Sequence, residues 1–150
     1  MITLRNHSIN LYIALLLFAI TPAIGAEIKA WNAPEVLQLS DDLYSAARHL
    51  KIECRNSPPK YLDYAAGSDH LAFHYHVRHF TNVARHLSQA LEEGKSKEET
   101  QPIFDESVDI MSDLKAYANG EAGGAWPIVS NAVFSADEVL TQIGPYYSRH

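Results

Sequence analysis

Five histidines, His70, His74, His76, His79 and His86, lie within one stretch of 17 residues. Neutral imidazole is a common ligand for transition metals, so this clustering raises metal chemistry first. His70 and His74 are four residues apart and His76 and His79 three apart. On a helix, either spacing puts both rings on one face, within reach of a single copper, nickel or zinc ion. The two pairs fall on opposite flanks of the same helix, and His79 and His86, two turns apart at roughly 10 Å, do not share an ion by themselves. The candidate metal ligands are therefore His70, His74, His76 and His79. A stable centre needs more than two imidazoles, and the additional ligands would come from Met111, from a carboxylate on another helix, or from a second copy of the chain in a homo-oligomer.

Haem b is the alternative cofactor, because His76 and Met111 are axial-ligand types that can face each other inside a helical bundle. Covalent c-type attachment is excluded by the lack of a Cys-x-x-Cys-His segment. The simplest competing reading makes His76 an interfacial histidine hydrogen-bonded at the core edge and leaves the other rings in solvent. Protonation follows in any case. With seven histidines beyond residue 26, acidification through ~6.5 removes most of the negative charge and lowers solubility.

Other chemistry is sparse. Asp105, Glu106, Asp109 and Asp113 occupy one polar face of a predicted helix and read most simply as a solvated surface. Arg78 and Arg85 project opposite the apolar stripe of their helix and keep that face soluble, and no basic stripe is apparent. Gly120–Gly124 follows a helix and lacks the Lys-Ser/Thr of a phosphate loop. Neither a nucleophile elbow nor a Glu-x-x-His pair occurs, so the residues give no support for an enzyme.

Residues 1–26 have the pattern of a cleaved signal peptide: Arg5, an apolar run from Leu11 to Ile20, then Thr21-Pro22 and small residues up to Ala26. Ten apolar residues are half of the ~20 needed to span a bilayer, so no stable membrane anchor is expected after cleavage. Without the leader, 11 Lys+Arg face 18 Asp+Glu, a net charge of −7. That charge disfavours nucleic acid and anionic lipid as partners. Cys54 is the only cysteine, so no intramolecular disulfide forms.

The elements that would position these side chains are four amphipathic helices in one domain, residues 27–150. The first opens at Asn32-Ala-Pro34-Glu35 and carries Val36, Leu39, Leu43, Ala46, Ala47, Leu50 and Cys54 on one face, ending at Asn56-Ser57-Pro58-Pro59. Tyr61–Ala66 reads as a short turn closed by Gly67. The second helix is capped by Ser68 or Asp69, buries Phe73, Val77, Phe80, Ala84, Leu87 and Leu91, and stops at Gly94. The third starts at Thr100 after a polar connection from Lys95 to Gln101, with Ile103, Phe104, Val108, Ile110, Met111, Leu114 and Ala118 inward. The fourth runs from Trp126-Pro127 to Gly144-Pro145, with Ile128, Val129, Ala132, Val133, Ala136, Val139, Leu140 and Ile143 inward. Beyond it, Tyr146-Tyr147 either ties the tail to the bundle or forms part of an interface.

Four one-sided helices with short connections predict an all-α, antiparallel four-helix bundle. The functional expectation is an exported, noncatalytic binding or interaction protein in the periplasm or secreted, with the histidine-bearing flanks of the second helix as its surface. A periplasmic transition-metal or b-type haem protein is the alternative.

Overall fold

The computed structural model describes residues 28–56, 66–119 and 127–148, with the side chains of 66–70 outside that description. The leader, the turn at 61–65, the side chains of Ser68 and Asp69 and the loop at Gly120–Gly124 therefore lie outside what is described. The described residues form four helices and no strand: α1 (Ala33–Asn56), α2 (Ala66–Glu92), α3 (Lys97–Asn119) and α4 (Pro127–Tyr147). Among the described residues, no helix is long and apolar enough to cross a membrane.

Helix α1 begins where Asn32 predicts. The Asn32 carbonyl accepts from the Val36 N–H at 2.9 Å, and the Asn32 amide donates to Glu35 Oε2 at 3.0 Å. Asn32 thus occupies the capping position, but its side chain meets the Glu35 carboxylate and not a backbone donor. Helix α2 starts at Ala66, two residues before the expected caps, and ends as predicted. Gly94 adopts φ 76°, its N–H donates to Leu91 O, and the Lys95 N–H donates to Ala90 O, both at 3.0 Å. These are the paired bonds of a Schellman motif, in which glycine enters the left-handed region without the cost of a Cβ.

Two predicted boundaries are corrected. Helix α3 is capped by Ser96, not Thr100: the Ser96 N–H donates to Glu99 Oε2 at 2.8 Å and the Glu99 N–H to Ser96 Oγ at 3.3 Å. This reciprocal pair is a capping box, and it holds the Glu99 carboxyl below its ordinary range. Thr100 is fully buried inside the helix. Helix α4 does not stop at Gly144-Pro145 but continues through Pro145 to Tyr147. Burial of Tyr146 and Tyr147 anchors the extra turn, and the Lys29 N–H donates to the Pro145 carbonyl at 3.0 Å. The tyrosine pair therefore ties the tail to the core. Tyr147 stacks on Phe104 at 4.3 Å between centroids, meets Trp31 edge-on at 5.4 Å, and its hydroxyl lies 2.8 Å from Thr100 Oγ1.

Helix α1 packs against α2 and α4, α2 against α3, and α3 against α4, while among the described residues the backbones of the diagonal pairs stay farther apart. These contacts close a ring consistent with a helical bundle around one core. Val36, Leu43, Ala47 and Leu50 of α1 meet Phe80, Ala84 and Leu87 of α2, Met111 and Leu114 of α3, and Val133, Ala136 and Ile143 of α4 in a single cluster of buried residues. Of the predicted core positions, Leu39, Ala46, Ile103 and Val139 pack half-buried against it, and two are exposed, Val108 at 42% and Ile128 at 57%. Buried Ser40 and Ser107 hold their hydroxyls on the Leu37 and Ile103 carbonyls of their own helices. That local bonding lets a polar residue sit on an inward face.

Candidate functional site

Three contacts fix the register between α1 and α2. Ser88 Oγ donates to Asp41 Oδ1 at 2.6 Å, Thr81 Oγ1 donates to the Ala47 carbonyl at 3.2 Å, and Cys54 Sγ lies 3.2 Å from His74 Nδ1. The later the residue in α1, the earlier its partner in α2. Alongside these contacts the two helices line a surface groove of about 570 Å³.

Its walls repeat one pattern. Tyr44, Arg48, Lys51, Ile52 and Arg55 line it from α1, and His74, Arg78, Thr81, Asn82 and Arg85 from α2. The spacing of the five positions is the same on both helices, so Arg48 corresponds to Arg78 and Arg55 to Arg85. Extended along the two helices, the order of those three contacts interleaves the arginines along the groove as Arg85, Arg48, Arg78, Arg55. By those contacts the intervals are uneven, about 7, 3 and 7 Å, over a total of ~18 Å at ~1.5 Å per residue. Four of the six arginines in the sequence are gathered here, with Lys51.

Among the described residues, none of these five cations has a carboxylate partner. Arg48 lies over the Tyr44 ring at 5.8 Å, a cation–π contact that orients the guanidinium without neutralising it. The acid nearest along this face of α1, Asp41, lies one turn beyond Tyr44 and is held by Ser88. Arg78 and Arg85 are exposed, as expected of a face that keeps the chain soluble, and with Arg48, Lys51 and Arg55 they line this groove, a basic cluster that neither helix displays alone. Three of its charges come from α1 and two from α2.

The histidines separate onto the two flanks that their spacing requires. His74 turns towards α1 and the groove, with Cys54 Sγ 3.2 Å from Nδ1 and 3.7 Å from Nε2. His70 belongs to the same flank in sequence, but its side chain is outside the described set. His76 and His79 turn towards α3: His76 Nδ1 is 3.7 Å from Asp113 Oδ2 and His79 Nε2 is 3.0 Å from Glu106 Oε1. Exposed His86 borders a hollow with His79 and Glu106. Among the described residues, no three His, Cys, Asp or Glu side chains converge to hold a metal ion. Met111 is buried in the core, while His76 faces Asp113 at the surface.

Two of the acids expected to be solvated on α3, Glu106 and Asp113, are thus the partners of α2 histidines, and Asp105 accepts from Gln101 Nε2 at 2.8 Å. Cys54, expected in the core, is 2% exposed. Burial pushes its thiol up to about 12, so sulfur stays protonated beside His74 at neutral pH.

No protein-family model, no curated protein sequence and no solved structure matches the chain.

Proposed function

We propose that the chain is an exported, noncatalytic binding protein: residues 27–150 form an antiparallel four-helix bundle, released from a signal peptide at 1–26 into the periplasm or medium. Its binding face is the flank of α2 that carries His74 where it meets α1. One observation carries this reading. A chain of net charge −6 gathers Arg48, Lys51, Arg55, Arg78 and Arg85 around an open groove with no described carboxylate to neutralise them. Uncompensated like charges repel one another, and an anionic ligand would relieve that repulsion.

The antiparallel arrangement is supported by the reversed order of contacts at three interfaces. Asp41, Ala47 and Cys54 meet Ser88, Thr81 and His74; His79 and His76 meet Glu106 and Asp113; Thr100 and Lys115 meet Tyr147 and Asp137. Binding is favoured over turnover by the chemistry of the lining. The Thr81 hydroxyl is committed to the Ala47 and Val77 carbonyls, and the protonated Cys54 thiol is no thiolate nucleophile. The guanidinium groups hold an anion and supply no base.

A second reading, a transition-metal carrier, has one observation in its favour: Cys54 Sγ and His74 Nδ1 lie 3.2 Å apart and are donor types that copper or zinc accepts. With only two ligands described, it ranks below anion binding.

The test is to export the full chain from a bacterial host, purify it without a tag, and record its mass, metal content and visible spectrum. Thermal shifts in tripolyphosphate, citrate and sulfate complete the comparison. The binding reading predicts a mass lacking residues 1–26, no Soret band, no stoichiometric metal, and an anion-induced rise in Tm that is lost in R48Q/R78Q. A Soret band, or stoichiometric copper, nickel or zinc lost in His74→Ala, contradicts it in favour of the cofactor reading.

A further inference from the structure

The groove can be taken further than anion binding in general, and this step rests on the reading just given. We propose that the α1/α2 groove is a site for a compact oligophosphate, a small molecule carrying two or more phosphoryl groups in a row. Three features of the groove select that chemistry.

The first is the kind of cation. Four of the five charges are guanidinium groups, whose planar fork donates two parallel N–H bonds to one phosphoryl or carboxyl group. The second is charge density. Five cations within ~18 Å call for several negative charges in a short length, and a phosphoryl group supplies up to about two where a carboxylate supplies one. The third is size. A volume of about 570 Å³ lies within the ~300–1,000 Å³ of small-molecule pockets. A long polyanion would run past Tyr44 towards Asp41 on a chain whose net charge is −6. A ligand that ends where the arginines end avoids that repulsion.

The order Arg85, Arg48, Arg78, Arg55 then has a purpose. Alternation of the four arginines between the two helices places guanidinium-bearing residues on both walls, so a row of phosphoryl groups would be gripped from opposite sides. Half-buried Tyr44 and partly exposed Ile52 add an aromatic and an apolar surface at the rim. An organic oligophosphate would use them and an inorganic one would not.

Isothermal titration of the full-length, processed protein tests the proposal with inorganic tripolyphosphate, ATP and citrate as probes. The expected result is saturable binding of tripolyphosphate or ATP with Kd below ~1 mM, at least roughly tenfold tighter than citrate. Raising salt from about 50 to about 200 mM should weaken it several-fold. R48Q/R78Q should lose at least roughly tenfold in affinity, while Lys95→Gln, outside the groove, should stay within about twofold. These substitutions replace surface cations, and unchanged circular dichroism verifies the fold. Tighter binding of ATP than of tripolyphosphate assigns an organic ligand that uses Tyr44, and the reverse order assigns an inorganic one. Three results overturn the proposal: no saturable heat from either phosphate probe, citrate binding as tightly as both, or equal binding by R48Q/R78Q. If citrate alone binds and depends on Arg48 and Arg78, the phosphate assignment fails while the binding face stands. If no anion binds there, both fail.

Discussion

Cys54 shows what a single residue's surroundings do to its chemistry. Its thiol is buried against α2 and its pKa is pushed up to about 12 by desolvation, so the folded protein should resist alkylating reagents at neutral pH and react only on unfolding. Burial also pushes the Tyr147 hydroxyl up to about 12, against the stabilising bond to Thr100. Both groups titrate higher in the folded state than in the unfolded chain. The stability they contribute is complete below the unfolded values near 9 and 10 and is lost as pH rises through about 12. An alkaline titration followed by circular dichroism should show Tm falling between those limits, with Cys54→Ala flattening the first part of the decline. That Cys54 faces inward is readable from its place on the stripe after Leu43, Ala47 and Leu50. That it meets His74 is not, because the contact depends on the register of a second helix.

At the level of elements, periodicity located the four apolar faces and punctuation located some ends. Gly94 stops α2 because the Schellman geometry requires a positive φ, and the sequence displays this plainly. Thr100 misled because a hydroxyl residue two positions before a proline resembles a cap; the reciprocal pattern Ser96-x-x-Glu99 was four residues upstream and carried the better signal. Ser96→Ala is expected to cost about 1 kcal/mol, measured by urea unfolding, and no effect would show that α3 is held by packing alone. Gly144-Pro145 misled for a different reason. A proline in the last turn forfeits one backbone bond, but stacking of Tyr147 on Phe104 and burial of Tyr146 keep the helix going, and these contacts become visible only after the elements assemble.

Across the whole molecule, one cluster of buried side chains joins all four helices. Leu50→Ala, at a position with no exposure, should therefore destabilise the protein by roughly 2–5 kcal/mol and lower the single unfolding transition as a unit. Separate transitions for separate helices would argue against a common core. At this scale the candidate site was least legible. Each of α1 and α2 carries its arginines among neutral and acidic neighbours, so neither reads as basic alone, and the charge row exists only where two helices interleave. Of the histidines conspicuous in sequence, His74 turns towards α1 and His76 and His79 towards α3.

The most direct test of the α1/α2 face as the site of binding is a titration of the isotopically labelled, processed protein with tripolyphosphate, followed by amide chemical shifts. Saturable changes are predicted along residues 44–55 and 74–85, with those bordering Arg48 and Arg78 the largest. Changes centred on α3 and α4, or none at all at saturating probe, would contradict the assignment.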